Sequence, residues 1–143
     1  MKQAAYLSFV WLFLLLLPGA AAAQGVQGAI DQGMRHSEAG RYDQALQAFD
    51  QALKLKPNDP AITTYKATVF YAKGNYPQAM QLCEQVLKLN PNFGRAYYQR
   101  GMIYEKQEKY DQAVADLQKA KSLGHGVDPD FIELMKNKAA SKK

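Results

Sequence analysis

The sequence predicts an all-α fold in which three helical hairpins stack side by side and a last helix closes the stack. Two observations predict it. One segment recurs without a gap at an offset of 34 residues, and the apolar residues inside each copy follow the three- and four-residue steps of a helix. A fixed period of this kind is typical of repeat proteins, in which each unit buries its apolar face against its neighbour.

The repeat is clearest in residues 40–58 and 74–92, and the same register returns 34 residues further on. Four positions keep one residue type in all three copies: Tyr42, Tyr76 and Tyr110; Gln44, Gln78 and Gln112; Ala45, Ala79 and Ala113; Leu55, Leu89 and Leu123. Upstream of each copy a small residue recurs, at Gly33, Ala67 and Gly101. We expect these small residues to let two helix backbones approach closely.

Each copy predicts a pair of helices joined by a turn. In the second helix of the first copy one apolar stripe is formed by Ala45, Phe49, Ala52 and Leu53. Asp59 before Pro60 predicts the start of the next helix, because aspartate caps free backbone amides and proline fits the first turn. Asp128 before Pro129 predicts the start of the last helix in the same way. Neither helix of a pair could bury its stripe alone, so stacking makes the core.

Residues 1–23 predict a secretory signal peptide. A basic start at Lys2 precedes a 14-residue run at 4–17 that is apolar except for Tyr6 and Ser8, and alanines at 20–23 place a signal-peptidase site before Gln24. The apolar run is shorter than the roughly 18 residues that a membrane span requires, although an uncleaved membrane anchor stays open as the alternative. The sequence therefore predicts an exported chain, periplasmic or secreted, that begins at Gln24.

Composition excludes several classes of protein. The chain has 143 residues and is 48% hydrophobic, which suits one domain, and one cysteine cannot form an internal disulfide or a zinc–thiolate cluster. His36 and His125 fall in different repeats without a nucleophile nearby, and no phosphate-binding glycine loop is present. We therefore expect no enzyme activity, no cofactor and no metal. Export and acidic residues spread through the helices argue against nucleic acid, despite the net charge of +5.

The repeat resembles the tetratricopeptide repeat, whose 34-residue unit has small and aromatic residues at fixed places and a proline after its second helix. The second copy fits with Ala67, Phe70, Ala79, Cys83, Val86 and Pro91, and the third with Tyr97, Gly101, Tyr104, Ala113, Leu117 and Ala120. The first copy fits less well in its first helix, as a terminal repeat does. The resemblance implies a right-handed α-solenoid with repeats at 26–59, 60–93 and 94–127, followed by a capping helix and basic tail at 128–143.

The resemblance also implies a concave groove lined by the first helix of each hairpin. The partner-contacting positions carried onto this register are Ile30, Met34, Thr64, Thr68, Tyr71, Arg95, Tyr98, Met102, Glu105 and Lys106. Family members that capture a C-terminal carboxylate place lysine, arginine and asparagine in the groove, whereas the corresponding places here hold Ile30, Met34, Thr68, Tyr98 and Met102. The predicted floor is therefore apolar and aromatic, which suits a peptide or protein segment that inserts an apolar side chain.

These patterns predict a non-catalytic interaction scaffold of the cell envelope. Two alternatives stay open: a self-associating structural subunit, including a homodimer, and an adaptor anchored in the membrane by an uncleaved N-terminus. Cys83 is interpreted as a core residue, with a disulfide-linked dimer as the alternative. Four lysines among the last eight residues are interpreted as a solvated terminus, or as a weak contact with an anionic membrane surface. Ordinary helix packing is the alternative role for Tyr71 and Tyr98, and burial by the N-terminal segment is the alternative for Ile30 and Met34.

Overall fold

The computed structural model describes residues 18–142. This part of the chain contains seven α-helices and no β-strand: α1 (Pro18–Glu38), α2 (Tyr42–Leu55), α3 (Pro60–Ala72), α4 (Tyr76–Leu89), α5 (Gly94–Lys106), α6 (Tyr110–Ser122) and α7 (Pro129–Ser141). Helices α1 and α2, α3 and α4, and α5 and α6 pack as pairs, each pair packs on the next, and α7 packs on α6. The predicted all-α hairpin solenoid with a closing helix is confirmed.

The helix starts follow the chemistry predicted for them. Asp59 Oδ1 accepts hydrogen bonds from the backbone amides of Ala61 and Ile62, at 2.9 and 3.0 Å. Asp128 Oδ1 accepts from the amide of Asp130 at 2.9 Å, and a proline follows each aspartate as the first helical residue. Both predicted N-caps are confirmed.

A left-handed residue reverses the chain inside each hairpin. Gly40 has φ 71° and Gly74 has φ 78°, as suits glycine, which has no Cβ to clash in this region. The equivalent position of the third hairpin, 34 residues after Gly74, is Glu108 with φ 57°. The third turn therefore holds a residue with a Cβ in the left-handed backbone region, which is unfavourable for residues other than glycine.

The core of each hairpin depends on a matched pair of residues, one from each helix. A Cβ added to Gly33 would lie 2.6 Å from Cε1 of Phe49, and one added to Gly101 would lie 3.1 Å from Cγ of Leu117. In the middle hairpin, where the small residue is Ala67, the partner position holds the smaller Cys83, and the two lie in one buried cluster. The predicted close approach of the helices is thus confirmed, because the larger partners face glycine.

Helix α7 covers the end of the stack. Its Ile132 and Met135 join Leu117, Ala120 and Val127 in one buried cluster, and Met135 has no exposed surface. On another face of α7, Leu134 is exposed. The helix is thus amphipathic and closes the core of the third hairpin on one side.

Helix α1 runs through the predicted cleavage point before Gln24. Ala22 and Ala23 are exposed, whereas Val26, Ala29 and Ile30 pack in the cluster of the first hairpin. Cleavage before Gln24 would therefore leave these core contacts in place. The predicted apolar run at 4–17 lies outside the described residues, and within 18–142 no helix has the length and apolarity to cross a membrane.

Candidate functional site

The predicted groove residues lie on α1, α3 and α5, the first helices of the three hairpins. Burial divides them into three groups. Met34, Thr68, Arg95 and Lys106 are exposed; Ile30, Tyr71, Tyr98, Met102 and Glu105 are half-buried; and Thr64 has no exposed surface. Two clusters of side chains include predicted groove residues: Arg95 lies over Tyr65 in the first, and Lys106 pairs with Glu105 in the second.

The first cluster is a row of three side chains, Phe49, Tyr65 and Arg95, which we call the aromatic row. The rings of Phe49 and Tyr65 stack with centroids 5.6 Å apart and an interplanar angle of 21°. The guanidinium carbon of Arg95 lies over the Tyr65 ring at 5.0 Å from its centroid. The row therefore links the core of the first hairpin to the surface of the third.

A shallow cavity of about 140 Å³ opens beside the aromatic row. It is lined by Met34, Ser37, Glu38, Phe49, Tyr65, Thr68 and Val69. Met34 is a large apolar residue that keeps 40% of its surface exposed there, while Phe49 is almost entirely buried and forms part of the cavity wall. The walls are mostly apolar and the rim carries one carboxylate, Glu38.

Thr68 connects this cavity to a buried amide. Its hydroxyl lies 3.1 Å from the carbonyl of Thr64 and 2.9 Å from Oε1 of Gln99, which is on α5. Gln99 is only 6% exposed, and its Nε2 has no hydrogen-bond partner among the described residues. The floor between α3 and α5 therefore contains a buried donor group that the protein leaves unsatisfied.

The second cluster surrounds Glu105 at the other end of α5. Its carboxylate forms ion pairs with Lys106 at 3.3 Å and with Lys138 of α7 at 3.5 Å. Burial raises the pKa of the nearby Tyr71, whose ring contacts Tyr76 with centroids 5.6 Å apart. Here the predicted groove residues mainly pair with one another and with the closing helix.

Three predicted groove residues serve mainly in packing. Thr64 is wholly buried, and its hydroxyl donates to the carbonyl of Pro60 at 2.7 Å. The prediction that Thr64 contacts a partner is therefore corrected, because a buried side chain does not reach a bound segment. Ile30 packs against the first core cluster. Tyr98 packs against the cluster beneath α7 and its ring lies 4.9 Å from that of His125. The packing role left open for Tyr98 is therefore the one that its contacts support.

Two lysines of the basic tail contact the third hairpin, and Lys143 lies outside the described residues. Lys142 pairs with Glu108 at 2.7 Å, and the ammonium groups of Lys138 and Lys142 lie 5.5 and 5.4 Å from the ring centroid of Tyr110. Lys142 donates a hydrogen bond to the Glu108 carboxylate. This bond and the positive charge of Lys142 lower the pKa of Glu108. These two lysines hold α7 on the third hairpin, so a membrane contact through them would compete with that docking.

Cys83 is a core residue. It has no exposed surface, and burial raises its pKa to about 12. A disulfide to a second chain requires an accessible thiolate, which the folded protein does not offer. The folded chain therefore does not support the alternative of a dimer linked by a disulfide through Cys83.

Sequence reasoning missed the roles of Phe49, Tyr65 and Gln99 in the site. The sequence shows the first two only as apolar residues of helix stripes, and their stacking joins two different hairpins. The sequence gives only a weak indication that Gln99 belongs to the site, because Gln99 is a polar residue beneath a groove that is otherwise apolar. Within residues 18–142, no three His, Cys, Asp or Glu side chains come together as a metal site.

Two family models match the chain, and both are described as tetratricopeptide repeat. One covers residues 37–102 and the other residues 94–124. No curated protein matches the chain.

The fold is similar to solved tetratricopeptide domains. The first such domain of human RPAP3 superimposes with a TM-score of 0.75 at 20% identity, covering 83% of this chain and 95% of that one. The Sgt2 domain from Aspergillus fumigatus gives 0.74 at 20% identity, with 82% and 80% covered. The TPR2B domain of yeast Sti1, in a complex with pHsp70, gives 0.71 at 20% identity, with 84% and 99% covered. At these identities the likeness concerns the fold.

Proposed function

Because residues 37–124 carry tetratricopeptide repeats, we propose that this chain is a non-catalytic interaction module that binds a segment of a partner protein along α1, α3 and α5. The observation that carries the proposal is the apolar cavity beside the aromatic row, on the face where Met34 and Thr68 are exposed. The similar Sti1 domain, solved in a complex with pHsp70, supports a peptide as the kind of partner.

The cavity gives the bound segment an anchor. A volume of about 140 Å³ suits one aliphatic side chain of the partner, and burying such a side chain contributes about 1.5–3 kcal/mol. Around the anchor, polar contacts come from the hydroxyl of Thr68 and the guanidinium of Arg95. One anchor with few polar contacts indicates a transient complex of modest affinity.

The chemistry of the groove argues against capture of a chain terminus. The places that hold cationic and amide side chains in carboxylate-capturing relatives hold Ile30 and Met34 on α1, and Ile30 is partly buried in the core. A terminal carboxylate would meet neutral side chains there. We infer that the partner is held along its length.

We propose that the protein acts in the cell envelope or the extracellular space, after export and cleavage before Gln24. The support is the order of basic start, apolar run and alanines in residues 1–23. N-terminal sequencing of the protein from its native cells tests this proposal. A chain that begins at Gln24 supports it, and a chain that begins at Met1 in a membrane fraction supports the anchored adaptor instead.

Site-specific photo-crosslinking tests the groove. A photoreactive residue at position 34 faces the cavity. The matched control at position 28 lies on the same helix, where a Cβ added to Gly28 would meet no other side chain within 4 Å. We expect adducts from position 34 alone, each mapping by mass spectrometry to one short segment of the partner. Adducts from position 28 alone, or equal adducts from both positions, would contradict binding in the groove.

A homodimer is the second candidate. Leu55 and Leu89 occupy equivalent places on α2 and α4, outside the predicted groove residues, and are 55% and 62% exposed. Two leucines are a small part of the roughly 800 Å² that each partner of a stable dimer buries, so the association would be weak. Light scattering over a wide concentration range tests for the homodimer, and a constant monomer mass would argue against one.

A further inference from the structure

We propose that one end of the helix stack rests on an anionic membrane surface, with two leucines inserted among the lipid headgroups and lysines beside them. We call this end the leucine edge, and it carries Leu55, Leu89, Lys54, Lys88 and Lys121. The inference goes beyond the proposed function, because it concerns a surface outside the cavity and would stand if the groove bound no peptide.

The leucine edge holds the two most exposed large apolar side chains of the described residues. Leu55 is the last residue of α2 and is 55% exposed, and Leu89 is the last residue of α4 and is 62% exposed. Because α2 and α4 are equivalent helices of neighbouring hairpins, both leucines lie at the same end of the stack. Apolar side chains grouped in this way indicate an interaction surface.

Unpaired lysines accompany these leucines. Lys54, Lys88 and Lys121 lie in the last turns of α2, α4 and α6, and none of them forms an ion pair with another described residue. Two carboxylates at this end serve their own helices, since Asp59 caps α3 and Asp128 caps α7. Leucines beside unpaired ammonium groups suit a bilayer surface with anionic headgroups.

The apolar run of the sequence leads away from the same edge. Helix α1 begins at this end of the stack, and a Cβ added to Gly25 would lie 3.4 Å from Cδ1 of Leu55. Pro18 stands about 10 Å beyond that contact along the helix, and the run at 4–17 directly precedes it in the chain. One headgroup layer is about 6 Å thick. A run held in the hydrocarbon core would therefore place Leu55 near the outer boundary of the headgroups.

Cleavage before Gln24 would remove this run and keep the edge. The processed chain begins next to Gly25, the residue whose added Cβ meets Leu55, and it retains both leucines and all three lysines. Two inserted side chains and a few charges bind a bilayer far more weakly than a spanning segment does. We therefore expect the processed protein to contact the membrane reversibly.

A second copy of the chain suits this edge less well than a membrane does. In a two-fold dimer the same patch meets itself, so Lys54 and Lys88 would face the same lysines of the second copy. Like charges in contact oppose association, whereas anionic lipid phosphates attract these lysines. The homodimer that uses Leu55 and Leu89 is therefore an outcome that the test must separate.

A fluorophore at position 89 tests the contact in the full chain. Leu89→Cys carries an environment-sensitive thiol dye, and Leu134→Cys, at an exposed leucine of α7, is the matched control. Cys83 is buried and stays unlabelled in the folded protein. In vesicles of two parts phosphatidylcholine and one part phosphatidylglycerol, we expect a blue shift of the emission at position 89 and not at position 134.

Three outcomes of this measurement would overturn the proposal. They are equal shifts at both positions, no shift at position 89, and a shift at position 89 that appears without vesicles and grows with protein concentration. The last outcome would favour the homodimer instead.

Co-sedimentation of the processed chain with the same vesicles measures the leucines. The core contacts of α1 begin at Val26, so a chain that starts at Gln24 retains them. We expect Leu55→Ser combined with Leu89→Ser to weaken binding at least tenfold, and Leu134→Ser to leave it unchanged. Equal losses in the two proteins would show that the leucine edge has no special role.

Charge reversal measures the lysines in the same assay. Each positive charge near an anionic surface strengthens binding about fivefold, and Lys88→Glu changes the charge by two, so we expect a loss of more than tenfold. The control Arg35→Glu makes the same change near the far end of α1, about 15 Å from Gly25 along the helix and beyond the Debye length, and should bind as the unaltered chain does. Equal losses, or equal binding to pure phosphatidylcholine vesicles, would refute the anionic surface. Crosslinking from position 34 reports on the groove separately, so failure at the edge leaves the proposed function standing.

Discussion

Arg100 and Asp116 form a two-point ion pair inside the third hairpin. Nε of Arg100 lies 2.6 Å from Oδ2 of Asp116, and Nη2 lies 2.9 Å from Oδ1. Asp116 is buried, and the rings of Tyr97 and Tyr104 flank the guanidinium at 5.4 and 5.9 Å. The hydrogen bonds that Arg100 donates to Asp116 raise the pKa of Arg100, so this guanidinium keeps its charge.

Removal of Asp116 should destabilise the protein strongly. We expect Asp116→Ala to lower the free energy of unfolding by about 3 kcal/mol, because Arg100 is left partly buried without its partner. Urea denaturation followed by circular dichroism measures the loss. The control is Asp50→Ala, which removes the more exposed Lys66 pair and should cost at most about 1 kcal/mol. Equal losses would show that Arg100 finds water or another partner.

Gly33→Ala should destabilise the first hairpin. The added methyl would lie 2.6 Å from the Phe49 ring, which is buried and cannot move aside freely, so we expect a loss of about 1–3 kcal/mol. The control on the same helix is Gly28→Ala, where nothing lies within 4 Å and alanine should stabilise by about 0.5–1 kcal/mol. Thermal unfolding compares the two variants, and a stabilised Gly33→Ala would refute the close packing.

Cys83 should resist thiol reagents in the folded protein. Only the thiolate reacts, and burial raises the pKa of Cys83 to about 12. We expect labelling by a thiol-specific chromogenic reagent at pH 8 to be slow without denaturant and fast in concentrated urea. Fast labelling of the native chain, or a covalent dimer without denaturant, would contradict the core assignment.

Stability should decrease at alkaline pH. The pKa of Cys83 rises from 9.0 in the unfolded chain to about 12 in the folded one, and the pKa of Tyr71 is raised as well. Above pH 9 the unfolded state loses protons that the folded state keeps, so the stabilisation is complete below pH 9 and is lost as the pH rises toward 12. Cys83→Ser should reduce the slope of stability against pH in this window; an unchanged slope would assign it to other groups.

Glu108→Gly should relieve the backbone at the third turn. Glu108 has φ 57° where the other two turns have glycine, and its side chain also pairs with Lys142. The reference is Glu108→Ala, which loses the ion pair but keeps a Cβ. We expect the glycine variant to unfold about 5 °C higher than the alanine variant. Equal midpoints would show that the turn carries no strain.

The sequence alone predicts the architecture because a repeat is a local pattern. The 34-residue period, the apolar stripes and the caps at Asp59 and Asp128 each depend on neighbours within one or two helices, so hairpins and helix starts could be read directly. The family register also selects Met34, Thr68 and Arg95, whose side chains the structure leaves exposed.

Side-chain exposure at the site depended on tertiary packing. Thr64 and Thr68 are one helical turn apart and chemically identical, yet one is buried and the other exposed, because α3 packs against several helices at once. The aromatic row and the pairs Gln99–Thr68 and Lys142–Glu108 each join residues of different hairpins or of the closing helix. Periodicity orders the residues along each helix, whereas the angle and distance between helices decide which side chains meet.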